Sequence, residues 1–162
     1  MDTNVAVVAN GRDTHASVAC CRKAVALLMQ LHRNGRVVID DGGAVLAEYN
    51  KRLHPQGQPG VGDLFYRHVL DNRGNTNRVR AVNVGQPRGD ALRAAFDSGT
   101  LGIFDPDDRP FALCSAVGRA PIATAIDSDW VDHEAGLIAC GVRIDYVCGR
   151  AVAASGGVEP TP

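Results

Sequence analysis

Short apolar runs alternate along this chain with stretches in which apolar residues recur every three or four positions. The runs are rich in β-branched residues and predict buried strands at Asn4–Ala9, Arg36–Ile39, Val79–Val84, Pro121–Ile126 and Val142–Val147. The three-to-four spacing predicts helices over His15–Asn34, Gly43–Leu53, Asp63–Asn72, Gly89–Phe96, Asp105–Gly118 and Val131–Cys140. Strands that alternate with helices and are apolar throughout are typical of an α/β fold. We therefore expect a three-layer α/β/α arrangement around a central, mainly parallel sheet.

Length and composition favour one globular domain. The 162 residues are 45% apolar and 22% charged, which is the profile of a soluble protein with a real core. We expect residues 1–150 to form this domain and the Gly- and Pro-containing segment 151–162 to be a disordered tail. No apolar run approaches the roughly 20 residues that span a bilayer. The first residues lack the basic flank of a secretory signal, so a cytoplasmic location is expected.

Cysteines and net charge narrow the chemistry further. The five cysteines form no C-x-x-C pair, and in a cytoplasmic chain they are expected to be reduced, mostly buried thiols. A catalytic cysteine would need a histidine partner, and the sequence singles none out. The net charge of −1 provides no overall basic field that would attract nucleic acid.

Acidic residues collect at the predicted strand ends and helix starts. Residues 105–108 (DPDD) open one helix, Asp127 and Asp129 directly follow the strand Pro121–Ile126, and Glu48 lies within an earlier helix. Open α/β sheets gather ligands at the carboxyl ends of their strands, and carboxylates that meet there repel one another unless a cation compensates them. Oxygen ligands of this kind suit Mg²⁺ or Mn²⁺, which activate water and stabilise charge on a phosphate. The predicted reaction is phosphodiester hydrolysis.

Each acid also has a structural interpretation. Asp105 or Asp107 is suited to cap a helix, and Asp40 and Asp41 are suited to cap the helix that begins near Gly43. An acid in a first helical turn, such as Asp108, is favoured by the helix dipole.

In order and spacing, these residues resemble the PIN-domain nucleases. That family has an acid at the end of its first strand, an acid in an early helix, an acid that opens a late helix and an acid after the next strand. The matching stretches, within roughly residues 4–148, are 5–10 (VAVVAN), 39–49 (IDDGGAVLAEY), 105–112 (DPDDRPFA) and 121–130 (PIATAIDSDW). The last two are the most specific, because they are separated by one helix and one strand.

The resemblance implies a site of four acids. Glu48, Asp108 and Asp127 would be metal ligands and catalytic residues, with Asp129 as a fourth catalytic acid, and Mg²⁺ or Mn²⁺ would be the cofactor. Asn10 stands where the family usually has an aspartate. Its amide oxygen could still ligate the metal, but one negative charge is lost. Asp13 is a nearby substitute.

The family also implies a nucleic-acid substrate, with RNA favoured over DNA. Arg73, Arg78 and Arg80 and the loop His54–Gly62 are candidates for substrate contact, although a solvated connector is the simpler interpretation of these segments. Trp130 could stack on a base or pack against the core. A toxin of this family would need an antitoxin partner, and the resemblance favours a homodimer.

Three alternatives remain. A catalytically degenerate PIN-like module that binds nucleic acid or a protein would explain Asn10. A topoisomerase–primase type of site also uses a glutamate and an Asp-x-Asp, but its glutamate follows a strand, whereas Glu48 lies mid-helix. A receiver-like phosphoacceptor would need a lysine after a late strand, and none is present.

Overall fold

The computed structural model describes residues 1–154, which form a mixed α/β fold. The helices and strands of this part follow one another as α1 Thr3–Ala9, α2 Val18–Asn34, β1 Val37–Asp40, α3 Ala44–Arg52, α4 Val61–Asp71, β2 Val79–Val82, α5 Pro87–Asp97, α6 Arg109–Gly118, β3 Ile122–Thr124, α7 Asp129–Asp132, α8 Glu134–Ala139, β4 Ile144–Tyr146 and α9 Arg150–Ala154. The predicted α/β class is confirmed. Four of the five predicted strands are present: three are shorter than predicted, and β1 is shifted by one residue.

The strands form two parallel pairs. β1 pairs with β2 from Val37 opposite Val79 onwards, and β3 pairs with β4 from Ile122 opposite Ile144 onwards. Within residues 1–154 each pair is a separate two-stranded sheet, so the single central sheet that we expected is not formed by these residues. Helix α6 packs against both β1 and β3 and so links the two pairs.

The predicted first strand, Asn4–Ala9, is wrong because this segment is helix α1. Asp2 caps the helix, with its Oδ1 accepting the backbone N–H of Asn4 at 3.1 Å. A short apolar run fits a buried helix as well as a buried strand. Here α4 packs so tightly on α1 that a Cβ added to Gly62 would lie 2.1 Å from the carbonyl oxygen of Ala6. Only glycine fits this crossing.

Helix ends agree with several sequence signals. Ser17 caps α2 through Cys20 N–H at 3.1 Å, and Gly35 follows its last residue as predicted. The carboxylate of Asp40 accepts the backbone N–H groups of Ala44 and Val45, each at 2.8 Å. This confirms the capping role predicted for Asp40. The predicted last helix, Val131–Cys140, is divided into α7 and α8.

Two predictions near the carboxyl end need correction. Residues 151–154, the first part of the predicted tail, belong to α9, where Ala153 is fully buried. The rest of the predicted tail lies outside the described residues. Cys20 and Cys148 form a disulfide with a Cα–Cα distance of 5.0 Å, so they are not the reduced thiols we expected. Disulfides are rare in reducing compartments, and the cytoplasmic expectation therefore gains no support from this pair.

Candidate metal centre

Three aspartates converge on one cavity from distant parts of the chain. Asp2 precedes α1, Asp108 precedes α6, and Asp127 follows β3. One carboxylate oxygen of each lies within 4.8 Å of the others. Asp108 at the start of α6 and Asp127 at the end of β3 lie together at this edge, as expected for residues at strand ends and helix starts.

Local structure directs Asp108 into the cavity. It occupies the N-cap position of α6, where its carbonyl accepts from Phe111 and Ala112 N–H, but its side chain makes no capping hydrogen bond. The preceding turn is closed by other acids, since Asp105 Oδ1 accepts Asp107 N–H at 2.9 Å. The Asp108 residue is only 8% exposed, and within residues 1–154 no donor bonds to its carboxylate. A buried carboxylate without a donor or a cation is strongly disfavoured.

Asp2 is held rigidly by its neighbours. Its Oδ2 accepts from Thr124 Oγ1 and from the indole Nε1 of Trp130, both at 3.0 Å, while Oδ1 accepts Asn4 N–H. Trp130 is fully buried, so it packs in the core and does not offer the base-stacking surface considered from the sequence. Carboxylates offer about four lone-pair sites, which leaves Asp2 capacity for one further partner.

Asp127 is positioned by the turn after β3. Its Oδ1 accepts Asp129 N–H at 2.9 Å, and its Oδ2 is 3.4 Å from Asn4 Nδ2. Asn4 also bonds the β3 side chain Thr124 and the backbone of Ala125. One amide therefore ties the start of α1 to the end of β3 and fixes the distance between Asp2 and Asp127.

The electrostatics of this cluster favour a neutralised state. Burial, followed by the charges of Asp2 and Asp127, raises the pKa of Asp108 to about 10. Burial and the charge of Asp127 raise the pKa of Asp2 to about 7 against the opposing hydrogen bonds. Burial also raises the pKa of Asp127. Near neutral pH the group must bind protons or a cation, because like charges in a low-dielectric cavity repel strongly.

The donor set fits a hard divalent cation. Three carboxylates suit Mg²⁺ or Mn²⁺ in charge and in ligand type. Thr3 lines the same cavity, and its buried Oγ1 has no hydrogen-bond partner among the described residues. A buried hydroxyl without a partner is uncommon, and a hydrated cation would supply one.

Glu48 and Asp129, two further predicted site residues, lie near the cluster but are not part of it. Glu48 lines the cavity, but its Oε1 lies 2.7 Å from Lys51 Nζ and is not one of the three clustered groups. Asp129 braces the site: its Oδ2 accepts Asp105 N–H at 2.8 Å and its Oδ1 lies 3.1 Å from His133 Nδ1.

Asn10 does not take the place we expected. It caps the end of α1, and its Oδ1 accepts Gly62 N–H at 2.8 Å, so the amide oxygen serves the packing of α4 on α1. Asn10 is absent from the cavity lining, whereas its proposed substitute Asp13 is part of it. The prediction of Asn10 as a ligand followed from the wrong first strand.

The residue that sequence reasoning missed is Asp2. A signal was available, because Asp followed by Thr and Asn before an apolar run is also a helix-start pattern. Interpreting that run as a strand placed the expected acid at its far end.

None of the three predicted substrate arginines lines the acidic cavity. Arg80 donates to the carbonyl of Gly118 at the last residue of α6, about 15 Å along the helix from Asp108. Arg78 donates to the carbonyl of Arg33 at 2.7 Å, and Arg73 is exposed. Arg78 and Arg80 therefore have structural partners. Among the residues that line the acidic cavity, the basic one is Arg52, which is exposed.

No family model, no curated protein and no solved structure matches this chain. In the part of the chain that the structure describes, no helix has both the length and the apolar character to cross a membrane.

Proposed function

We propose that this chain is a divalent-metal-dependent endonuclease that hydrolyses phosphodiester bonds, with RNA as the favoured substrate. The observation that carries the proposal is the group Asp2, Asp108 and Asp127, whose oxygens lie within 4.8 Å of one another. Asp108 is the decisive member, because it is buried without a donor and has a pKa of about 10. Such an arrangement destabilises the folded chain. Strongly perturbed pKa values of this kind cluster at functional sites.

The residues of the cavity would have different roles in metal binding, positioning and proton transfer. Asp2, Asp108 and Asp127 would hold Mg²⁺ or Mn²⁺, and Asp129 would keep the turn 105–108 against the site through its bond to Asp105 N–H. Glu48 lies at the cavity wall, where its carboxylate can orient a water or accept a proton. A bound ion would supply Lewis acidity and would lower the pKa of a coordinated water.

Substrate contact is assigned to Arg52. Its guanidinium belongs to the cavity lining, and within residues 1–154 it has no ion-pair or hydrogen-bond partner. Arginine's planar fork suits a phosphate, and a cation at the mouth offsets the repulsion between the acids and a polyanion.

The finer fold expectation, a PIN-like α/β/α domain, is part of this proposal. It is supported by the parallel pairing within both sheets and by α6, which packs on β1 and β3. The degenerate-module alternative was motivated by Asn10 and by the absence of a strong basic patch. Because Asn10 bonds Gly62 outside the cavity and Asp2 provides the third carboxylate, the first motivation no longer applies to the cluster, whereas the second still does.

The test is cleavage of matched single-stranded RNA and DNA in Mn²⁺ or in EDTA. We expect Asp108→Asn and Asp127→Asn each to reduce Mn²⁺-dependent cleavage of RNA by at least about 100-fold, because loss of an outer partner of a metal ligand already costs 10- to 100-fold. Asp97→Asn is the matched control, since Asp97 is exposed at the end of α5. Cleavage that is equal in the wild type and both site variants would refute the proposal.

Calorimetric titration with Mn²⁺ separates the two remaining outcomes. An active nuclease binds the ion through its carboxylates, and a degenerate module shows no heat above that of buffer. We expect the heat to be present in the wild type and Asp97→Asn and absent in Asp108→Asn.

A further inference from the structure

Each strand of the described residues begins close to an arginine. Arg36 directly precedes β1, Arg78 precedes β2 and Arg143 precedes β4, while Arg119 lies three residues before the start of β3. The strands of each pair run parallel, so the arginines of each pair lie at the amino-end edge of their sheet. The acidic site is at the other edge, because Asp127 follows the carboxyl end of β3.

Two of these arginines bind the carboxyl ends of helices. Arg78 donates to the carbonyl of Arg33 in the last turn of α2 at 2.7 Å, and Arg143 donates to the carbonyl of Arg119, the residue that caps α6. A cation is favoured at the carboxyl end of a helix, so Arg78 and Arg143 have a structural role. Their bonds also bring two further arginines, Arg33 and Arg119, to the same surface.

The two strand pairs present their arginines on one continuous surface. Arg80 on β2 donates to the carbonyl of Gly118, the residue before Arg119, so β2 contacts the end of α6. Arg36 lines the same cavity as Ala120, which lies just before β3. We define the arginine edge as the surface formed by Arg33, Arg36, Arg78, Arg119 and Arg143.

The charge of the arginine edge is not neutralised by its neighbours. Arg33, Arg36 and Arg119 are exposed, and none of their guanidinium groups has an ion-pair or hydrogen-bond partner within residues 1–154. A carboxylate on this side is that of Asp145, which lines a cavity with Arg36 and is itself exposed. By contrast, the acidic cavity at the other end of α6 is lined by seven acids and Arg52. The fold therefore separates a chain of net charge −1 into an acidic end and a basic end.

The surface between these arginines is polar. Their apolar neighbours along the chain, Val37, Val79 and Val142, are buried. Interfaces with nucleic acids are more polar and much more positively charged than interfaces between proteins, and the planar guanidinium group matches the geometry of a phosphate. We propose that the arginine edge binds the phosphate groups of a nucleic-acid substrate. The choice of this ligand rests on the proposed function, whereas the surface itself is separate from the acidic cavity.

Helix α6 lies between the arginine edge and the acidic cavity. The helix has 10 residues and is therefore about 15 Å long. Successive phosphates of one stacked strand rise by about 3.4 Å, so a strand needs at least about five nucleotides to contact both surfaces. A substrate of this length is held at the arginine edge while its scissile phosphate lies at the carboxylates, which by themselves repel a polyanion.

The experiment measures the anisotropy of a fluorescent single-stranded RNA of about 20 nucleotides, and of DNA of the same sequence, with the whole protein in EDTA over a range of salt concentrations. We expect Arg36→Gln/Arg119→Gln to weaken binding at least about tenfold at about 0.1 M salt. The slope of log Kd against log salt should fall by about 1.4, because each lost phosphate contact removes about 0.7. Arg36→Lys/Arg119→Lys keeps both charges and should keep the slope, which separates a lost charge from a lost fold.

Arg22→Gln/Arg88→Gln is the control that removes the same charge elsewhere. Both residues are exposed, Arg22 in the first half of α2 and Arg88 in the first turn of α5, which follows the carboxyl end of β2. This variant should keep the affinity and the salt slope of the wild type.

Arginine-dependent binding of either RNA or DNA supports the proposal. An unchanged affinity and slope in Arg36→Gln/Arg119→Gln would overturn it, as would equally tight, arginine-dependent binding of polyglutamate of the same charge, which would indicate an acidic protein partner. The outcome is independent of the metal site. Binding that depends on these arginines without any Mn²⁺-dependent cleavage would refute the nuclease function alone, whereas cleavage with a wild-type KM by Arg36→Gln/Arg119→Gln would refute the role of the arginine edge alone.

Discussion

Replacing Asp108 with asparagine removes the most strongly perturbed carboxyl of the cluster while keeping the size of the side chain. The folded-state pKa is about 10, and the unfolded chain has the ordinary value of about 4. The folded protein therefore binds one more proton than the unfolded chain between these values. The free energy of unfolding must fall as pH rises through this window, by about 1.4 kcal/mol per pH unit.

The magnitude at neutral pH follows directly. From pH 4 to pH 7 the carboxyl of Asp108 lowers the free energy of unfolding by up to about 4 kcal/mol. Coupling to Asp2, which itself titrates near pH 7, reduces this, so we expect about 2–4 kcal/mol. Asparagine is neutral in both states and mimics the protonated acid. In EDTA at pH 7 Asp108→Asn should accordingly be more stable than the wild type, and the difference should vanish near pH 4.

Urea unfolding at half-unit steps from pH 4 to pH 8 measures this difference, with Asp97→Asn as the control that should follow the wild type. Adding Mn²⁺ should offset most or all of this difference. An ion at 100 times its dissociation constant adds about 2.7 kcal/mol to the wild type, and it should add little to Asp108→Asn. A variant that is less stable than the wild type in EDTA, or a stability difference that does not change with pH, would refute the inference that the Asp108 carboxyl is buried without a compensating charge.

Three further predictions concern the frame around the site. Trp130 is the single tryptophan and its Nε1 bonds Asp2, so Mn²⁺ should quench its fluorescence saturably in the wild type, and persistence of the same quenching in Asp108→Asn would contradict binding at the cluster. Asp63 is fully buried and accepts hydrogen bonds from Arg12 and from the backbone N–H groups of His54 and Gly60. Asp63→Ala should lower the free energy of unfolding by about 2–4 kcal/mol in urea, because it leaves these N–H groups unpaired, and a loss under about 1 kcal/mol would contradict a structural role for these bonds. Reducing Cys20–Cys148, which closes a span of 128 residues, should lower the unfolding free energy by up to about 5 kcal/mol; an unchanged urea midpoint would show that the disulfide adds no stability.

Local sequence signals were sufficient for two of the three clustered acids. Asp108 opens a helix and Asp127 follows a strand, and both positions can be recognised from the apolar and polar pattern of the sequence around them. Their convergence was predicted because parallel strands deliver their carboxyl ends to one edge. The same local logic identified Asp40 as a helix cap, since a short acceptor before a helix bonds its first N–H groups wherever it occurs.

Other features depended on partners that are distant in sequence. The run Val5–Ala9 is apolar throughout and fits a helix as well as a strand. The Asp2 cap, the packing against α4 at Gly62 and the junction with β3 through Asn4 favour the helix. Because this segment is a helix, the third acid of the cluster is Asp2 before its start and not a residue at position 10 after its end. Likewise, Arg80 resembles a substrate contact until its bond to Gly118 is seen.

By itself, the sequence determined the α/β class, most helix positions and the expectation that Asp108 and Asp127 lie close together, because these depend on short-range periodicity and on residues beside element ends. Only the tertiary structure decided that α1 is a helix, that Asp2 completes the cluster, that the strands divide into two pairs and that Cys20 meets Cys148. Each of those outcomes is set by contacts between residues far apart along the chain, and apolar runs, single acids and cysteines do not specify their partners locally.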